Sequence, residues 1–396
     1  MPVLTDIDEV IKFSVSSYKW PEYGAHLFSH RPHILLFQTK NQNMATPKQF
    51  KRIVLNERPV GDIEPTTFRT EFLPFDLKPS PGEVLVQATW LSLDPAMRGY
   101  LKDVRSYLPP VQIGEFTSSW VIVQVMRAQA LGVVIQTGEG SKLAVGDTVS
   151  GVWGMTEYAV VKDAAVQKLI IPRGVQALDF LNTLGSSGMT AYFGLKDVAE
   201  VKPGDILVVS GAAGSVGAIT CQLGKRAGAK VYGIAGSADK CEWLEKELGV
   251  DGAFNYKSPT FKEDFKKIGY VNVYFDNVGG DILDMVLTRL AQGARIALCG
   301  AISQYNAAKP AGLNNYLTLI SMRAKIQGFI VFDYASRYPE AIQELAAGLS
   351  DGSIKRKFHI VEGGIEQAPK ALPLLFSGGN TGKLVVKVSE EPRPRL

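Results

Sequence analysis

The sequence predicts an α/β protein in two parts, a mainly-β domain followed by a doubly wound parallel sheet. Three observations carry this. Between about residues 48 and 170, short apolar runs of strand character are separated by Pro- and Gly-rich turns. From residue 206 onward, short and fully apolar runs alternate with helix-patterned segments, as in a parallel sheet covered on both faces. Between the first such run and the first such helix lies the glycine-rich turn G-A-A-G-S-V-G, residues 211–217.

The elements follow in order. Residues 1–47 read as an irregular N-terminal extension that holds Pro21, Gly24, His26, His30 and His33 and has little periodicity. No cysteine accompanies the three histidines, so they read as solvated tail residues rather than a metal tract. Residues 48–170 form the mainly-β domain, a small barrel or sandwich, with strands in KRIVLNERP, GEVLVQATWLSL, LGVVIQTG and VSGVWGMTEYAVV. Residues 171–335 form the parallel-sheet domain. ILVVS (206–210) is its first strand, and VGAITCQLGKRAG its first helix, with Val216, Ile219, Cys221 and Leu223 toward one side and a stop at Gly228. KVYGIAG, DKCEWLEKELG, NVYFDNVGG, DILDMVLTRLAQG and ARIALCG continue as strand, helix, strand, helix and strand. Residues 336–396 add the helix YPEAIQELAAGLSDG, the strand KFHIVEGG, a further helix and the strand GKLVVKV, which are expected to return to the first domain.

Composition narrows the function classes. The chain has 396 residues, 46% of them hydrophobic and 21% charged, with a formal net charge of +4. Lysines and arginines are scattered without a long run, which argues against a nucleic-acid partner. Cysteines number three, Cys221, Cys241 and Cys299, an odd count without metal-like spacing, so a disulfide framework is not expected. No apolar run approaches the roughly 18 residues that span a bilayer. The start, MPVLTDIDEV, carries acids and lacks a basic segment before an apolar one. A cytoplasmic location is the expectation.

The glycine turn is the strongest local signal. Gly211, Gly214 and Gly217 let the chain turn sharply and let a pyrophosphate approach the backbone at a helix N-terminus, where free N–H groups and a partial positive charge await it. The end of the second strand separates NADP from NAD. NAD enzymes place Asp or Glu there for the ribose 2′-hydroxyl. Here the chain reads Gly236, Ser237, Ala238, then Asp239 and Lys240. Without the acid, a 2′-phosphate meets no repulsion, and Lys240 supplies attraction. Asp239 runs against this unless it serves the start of the next helix.

Several segments then resemble one family. They are LSLDPAMRGY (91–100), GMTAYFGL (188–195), VSGAAGSVG (209–217), AGSADKC (235–241), NYK (255–257), YFDNVGG (274–280), ALCGAISQYN (297–306), QGFIVFDY (327–334) and GNTGKLVVKV (379–388). Together they resemble the zinc-independent medium-chain dehydrogenases/reductases, in the group of prostaglandin reductases, leukotriene B4 12-hydroxydehydrogenases and plant alkenal double-bond reductases. The resemblance covers about residues 48–388. It implies a GroES-like catalytic domain and a Rossmann domain, usually in a homodimer. It also implies NADPH as cofactor and small α,β-unsaturated aldehydes or ketones as substrates. Carried over by motif, Ala212, Ala213, Gly214, Ser215 and Gly217 belong to the pyrophosphate turn, and Lys240 and Tyr256 hold the 2′-phosphate. Asn277, Cys299, Gly300, Ala301, Ile302, Ser303, Tyr305, Phe329, Ile330, Val331 and Asn380 line the nicotinamide half.

The available chemistry agrees with a reductase that needs no metal. Residues 48–170 contain neither cysteine nor histidine, so the ligands of a catalytic zinc are missing from the first domain. Reducing a double bond conjugated to a carbonyl asks for less than oxidising a simple alcohol. Hydride goes to the β-carbon, the carbonyl oxygen becomes an enolate, and the α-carbon is protonated. Tyr305, at a strand's carboxyl end, is the candidate for the proton or for enolate stabilisation. A hydrogen bond to the cofactor ribose is an equal alternative. Thr190 and Tyr192 either approach the nicotinamide or pack in the core. A quinone reductase and a non-catalytic NADPH-binding protein are the rival functions.

Three departures from the family pattern stand out. Some relatives carry a tyrosine after the Asp-Pro of LSLDPAMR, where this chain has Ala96. The family begins near MATPKQFKR, which makes Met44 a natural start and residues 1–43 an addition. Residues 116–124, FTSSWVIVQ, read as an insertion between Gly114-Glu115 and Val125-Met126-Arg127, beside the substrate pocket. An altered splice site would account for both the extension and the insertion.

Overall fold

The computed structural model describes residues 47–113 and 125–391. The extension through residue 46 and the insertion at 116–124 lie outside the described residues.

The chain first lays down β1 (Gln49–Leu55) and β2 (Phe68–Pro74), an antiparallel pair registered from Gln49 opposite Pro74 to Leu55 opposite Phe68. Then come β3 (Glu83–Ser92) and a four-residue helix α1 (Met97–Tyr100), which follows the turn made by Asp94 and Pro95. Next are β4 (Gln129–Thr137), β5 (Thr148–Val152), β6 (Tyr158–Lys162) and β7 (Val166–Lys168). Helix α2 (Ser186–Phe193) leads into the second part.

There β8 (Ile206–Ser210), α3 (Ser215–Arg226), β9 (Lys230–Ala235), α4 (Ala238–Lys246), β10 (Gly252–Asn255), α5 (Phe261–Lys266), β11 (Val271–Asp276), α6 (Gly280–Leu287), β12 (Leu290–Leu298), α7 (Thr318–Ser321) and β13 (Lys325–Gly328) alternate. Helix α8 (Tyr338–Ser350), β14 (Phe358–Val361) and β15 (Lys383–Lys387) follow.

Six strands form a wholly parallel sheet in the order β10-β9-β8-β11-β12-β13. This is the Rossmann order, with the switch point between β8 and β11. The central strand explains the apolar run, since Leu207, Val208 and Val209 are fully buried between helical layers. The other large sheet runs β14-β15-β3-β4-β5-β7, with β6 also paired to β3. The C-terminal strand β15 thus lies antiparallel to β3, with Val385 opposite Ser92. Leu384 and Val386 join Leu91, Leu93, Met97 and Met126 in one apolar core.

Two local readings are corrected. The helix expected over DILDMVLTRLAQG stops at Leu287, and its last residues belong to β12. Buried Leu290 pairs with Val271, and Gly293 sits within the strand at φ +71°, a conformation that interrupts a right-handed helix. Apolar spacing by itself does not separate the end of a buried helix from the start of a buried strand. The one-sided apolar face expected on α3 is also too narrow. Every residue from Gly217 to Gly224 is buried, Thr220 and Gln222 included, with α2 packed on the side away from the sheet. Gln222 is accommodated because its amide donates to the carbonyls of Ala218 and Lys355, at 3.1 and 3.0 Å.

Candidate active site

A cavity of about 830 Å³ opens at the carboxyl ends of β8, β9, β11 and β12 and extends to the first domain. Its first wall is the glycine turn. Gly211 takes φ +57°, and its carbonyl accepts the Gly214 N–H at 2.9 Å. A Cβ at Gly217 would stand 2.4 Å from the Gly211 carbonyl oxygen, so only glycine closes the turn. Helix α3 begins immediately after Gly214, and its first three N–H groups have no intrahelical acceptor. Ser215 donates its hydroxyl to Asn182 Oδ1 at 2.6 Å. The returning C-terminal segment braces the turn, with the Gly382 N–H donating to the Ala213 carbonyl at 2.7 Å. Asn380 Nδ2 donates to the Gly382 carbonyl at 2.9 Å. An anionic pyrophosphate fits this end of the cavity.

The second wall, at the end of β9, is basic. Lys240 Nζ donates to the Gly378 carbonyl at 2.7 Å, and burial, the larger influence, lowers its pKa, with neighbouring Lys257 acting the same way. Lys257 Nζ lies 5.7 Å from the centre of the Tyr256 ring. That ring reaches over the backbone of Gly236, where a Cβ would come within 3.1 Å of it. Two cations and a phenol therefore converge here, and among the described residues the carboxylates that line the cavity are Asp94 and Asp281. Asp239 does not line the cavity. It is exposed in the first turn of α4, its pKa lowered chiefly by the Ser237 hydroxyl, while Ser237 takes the cap position. This end accommodates a second phosphate on a ribose. Lys257 was passed over in the sequence although it follows Tyr256 directly in NYK.

The third wall comes from β11, β12 and the segment after β13. Buried Asp276 accepts the hydroxyls of Ser210 and Tyr274 and the N–H groups of Val278 and Gly279, which fixes the chain around Asn277. Asn277 Nδ2 donates to the Ser210 carbonyl at 2.7 Å. Cys299, Gly300, Ile302, Ser303, Tyr305, Phe329, Ile330 and Val331 all line the cavity. Burial, followed by the Asp276 charge, pushes the Cys299 thiol up to about 12, so it is not a thiolate nucleophile at neutral pH. Tyr305 is held from one side, its phenolic oxygen accepting the Ala301 N–H at 3.1 Å. Burial raises the Tyr305 phenol above its ordinary value.

Two residues expected at the cavity stand elsewhere, and the alternatives left open for Thr190 and Tyr192 are separated. Ala212 is fully buried in the core behind the turn, with its N–H bonded to the Ile234 carbonyl at 3.0 Å. Ala301 contributes its N–H to Tyr305 and does not line the cavity. Of the GMTAY pair, Thr190 lines the cavity. Tyr192 is buried against Phe193, with ring centres 5.1 Å apart, and its hydroxyl meets Lys196. A helix turns side chains about 100° per residue, so two positions apart face opposite ways.

The fourth wall belongs to the first domain: Asp94, Pro95, Ala96, Met97 and Tyr100, with Tyr107, Leu108, Arg127 and Gln129. Asp94 is tied to the buried Lys383 of β15. Tyr100 ends the LSLDPAMRGY motif and Arg127 the segment after the insertion, but neither was given a role in the sequence, and Tyr107 stands in no motif. Among the described residues no group of three or more His, Cys, Asp or Glu is placed to hold a metal ion. No helix among them is long and apolar enough to cross a membrane.

Residues 51–169 match the family described as N-terminal domain of oxidoreductase, and residues 215–347 match the one described as zinc-binding dehydrogenase. The chain is 34% identical over 355 residues to the NADP(+)-dependent 2-alkenal reductase of Nicotiana tabacum, covering 88% of this chain and 100% of that one. It is 35% identical over 348 residues to the NADPH-dependent curcumin reductase of Escherichia coli, covering 86% and 97%. The crystal structure of CurA from Vibrio vulnificus in complex with NADPH superposes with a TM-score of 0.78 at 37% identity, covering 86% of this chain and 99% of that one.

Proposed function

The chain belongs to the zinc-independent medium-chain dehydrogenase/reductase family, and on that premise we propose that it is an NADPH-dependent reductase of carbon–carbon double bonds conjugated to an aldehyde or ketone. Relatives named for alkenal and curcumin reduction support the reaction class, and the basic wall of Lys240, Lys257 and Tyr256 supports NADPH over NADH. When bound, the cofactor supplies a hydride to the β-carbon and ends as NADP⁺.

The remaining work falls to the chain. The glycine turn and the α3 N-terminus hold the pyrophosphate, and Lys240 and Lys257 hold the 2′-phosphate. Asn277, Cys299 and Phe329 orient the nicotinamide. The observation that carries the reading is the one-sided tether of Tyr305. Its oxygen already accepts the Ala301 N–H, which turns its own proton toward the cavity. There it hydrogen-bonds the substrate carbonyl and stabilises the enolate oxygen as the β-carbon is reduced. The α-carbon then takes a proton, so one hydride and one proton are added across the double bond.

The protein is also proposed to act in the cytoplasm, where its three free cysteines remain reduced, and as a homodimer. NADPH oxidation with a 2-alkenal, compared with a simple quinone, tests the reaction class. Faster turnover of the alkenal supports it. Exclusive turnover of the quinone, or tight NADPH binding without turnover of either, refutes it. Tyr305→Phe should lower kcat for the alkenal by about a hundredfold.

A further inference from the structure

Arg98 of α1 is fully buried, yet it does not line the cavity as its helix neighbours Met97 and Tyr100 do. Its Nη2 donates to the carbonyls of Pro59 and Gly61, at 3.0 and 2.8 Å, in the loop between β1 and β2. Its Nε donates to Asn306 Oδ1 at 2.9 Å, in the other domain and 208 positions away. Asn306 Nδ2 donates in turn to Asp62 Oδ1 at 2.8 Å. Burial, the larger influence, lowers the Arg98 pKa, and the Asp62 charge opposes it. A neutral amide thus stands between a buried cation and a carboxylate. One orientation of that amide satisfies both, because turning it over would set donor against donor and oxygen against oxygen.

Asn306 directly follows Tyr305. The residues before it are tied to their own domain. The Ser303 hydroxyl donates to the Val278 carbonyl at 2.7 Å, and the Tyr305 oxygen accepts the Ala301 N–H at 3.1 Å. Asn306 then ties the same segment to the first domain. Its partner Arg98 sits on the helix that presents Met97 and Tyr100 to the cavity. One side-chain amide therefore sets the spacing between the wall that carries Tyr305 and the wall that faces it. Such spacing matters to chemistry, since a misplacement of about 1 Å can cost about a hundredfold in rate.

We propose that Arg98, Asn306 and Asp62 are positioning residues, an interdomain clasp that holds the Tyr305 hydroxyl at the substrate carbonyl. None of the three lines the cavity, so they act on neither substrate nor cofactor directly. This rests on the reading of Tyr305 as the enolate-stabilising group and deepens it by naming what places that group.

The test is a graded series of variants with a 2-alkenal and NADPH. Asn306→Ala removes both amide bonds. The single-turnover rate of NADPH oxidation at saturating alkenal should fall about tenfold, while NADPH affinity and the alkenal KM change less than about twofold. Asn306→Asp keeps the acceptor for Arg98 but sets a carboxylate against Asp62, so its rate should lie between. Adding Asp62→Asn to it rebuilds both bonds with the amide on the other side, and the rate should return to within about twofold of wild type. In a Tyr305→Phe background, Asn306→Ala should have less than about a twofold further effect, because residues that act as a unit are not additive. NADPH titration verifies that each variant is folded. An unchanged rate in folded Asn306→Ala, no recovery in the Asp62→Asn/Asn306→Asp pair, or a full tenfold loss added to that of Tyr305→Phe overturns the proposal. If Tyr305→Phe alone leaves the rate unaltered, the enolate role of Tyr305 fails and the clasp falls with it. If the wild type reduces no alkenal, the reductase reading fails by itself, and backbone hydrogen exchange of the NADP⁺-loaded protein decides on the clasp. Residues 301–307 should then exchange faster in Asn306→Ala and return to the wild-type rate in the rebuilt pair, and unchanged exchange removes the clasp.

Discussion

Replacing Lys240 by alanine tests the cofactor assignment most directly. Lys240 stands in the first turn of α4, half-buried and lining the cavity, with its ammonium group donating to the Gly378 carbonyl at 2.7 Å. A charge-assisted hydrogen bond to a phosphate contributes about 1.5–3 kcal/mol. At about 1.4 kcal/mol per tenfold, its removal should weaken NADPH binding about ten- to a hundredfold. Lys257 stays beside the same phosphate, which holds the loss toward the lower end of that range. NADH has no 2′-phosphate, so its affinity should change less than about twofold, within the scatter of a surface substitution. The Gly378 carbonyl loses its donor as well, yet it is near the surface and can take water, so thermal stability should fall by only about 2–4 °C. The assay is titration of NADPH and of NADH by nicotinamide fluorescence, with and without added salt. A common loss for both cofactors, or none for NADPH, would show that Lys240 merely ties its helix to the C-terminal segment.

The other predictions concern the turn, the proton donor and the insertion. Gly217→Ala should lower NADPH affinity at least tenfold, because the added Cβ would meet the Gly211 oxygen at 2.4 Å and Ala212 Cα at 2.8 Å. Gly61→Ala, where nothing lies within 4 Å, serves as a silent control in the same titration. Because burial raises Tyr305, its donating form persists above the ordinary phenol value, so the kcat/KM profile for an alkenal should stay flat to about pH 9.5. A loss beginning near neutrality would assign the proton to another group. Deleting residues 116–124 should raise the melting temperature and increase enone reduction with little change in NADPH affinity, as measured by differential scanning fluorimetry and turnover. An unfolded or inactive deletion protein would make the segment a required part of the fold.

What was legible in the sequence was local. The strand–turn–helix at 206–226 announces itself because buried parallel strands must be apolar throughout, and because only glycine permits the φ of Gly211 and the contact at Gly217. The break after VYGIAG and the motif around Tyr305 were equally readable, since their residues act within a few positions of a strand end. The boundary between α6 and β12 was not, because both are apolar and tertiary packing alone decides between them.

The cavity itself was decided by contacts between distant parts of the chain. Lys240 meets Gly378 across 138 positions, and Lys383 meets Asp94 across 289. Sequence motifs named Ala212, Ala301 and Tyr192 along with their neighbours, but which of these side chains faces the cavity depends on the helix and turn geometry of the folded chain. Tyr107 stands in no motif, Arg127 was read only as a flank of the insertion, and both reach the site only because the mainly-β domain packs over the strand ends. Periodicity and turn chemistry operate within a few tens of residues and therefore leave a record in the sequence. A wall assembled from two domains exists only once the chain has folded.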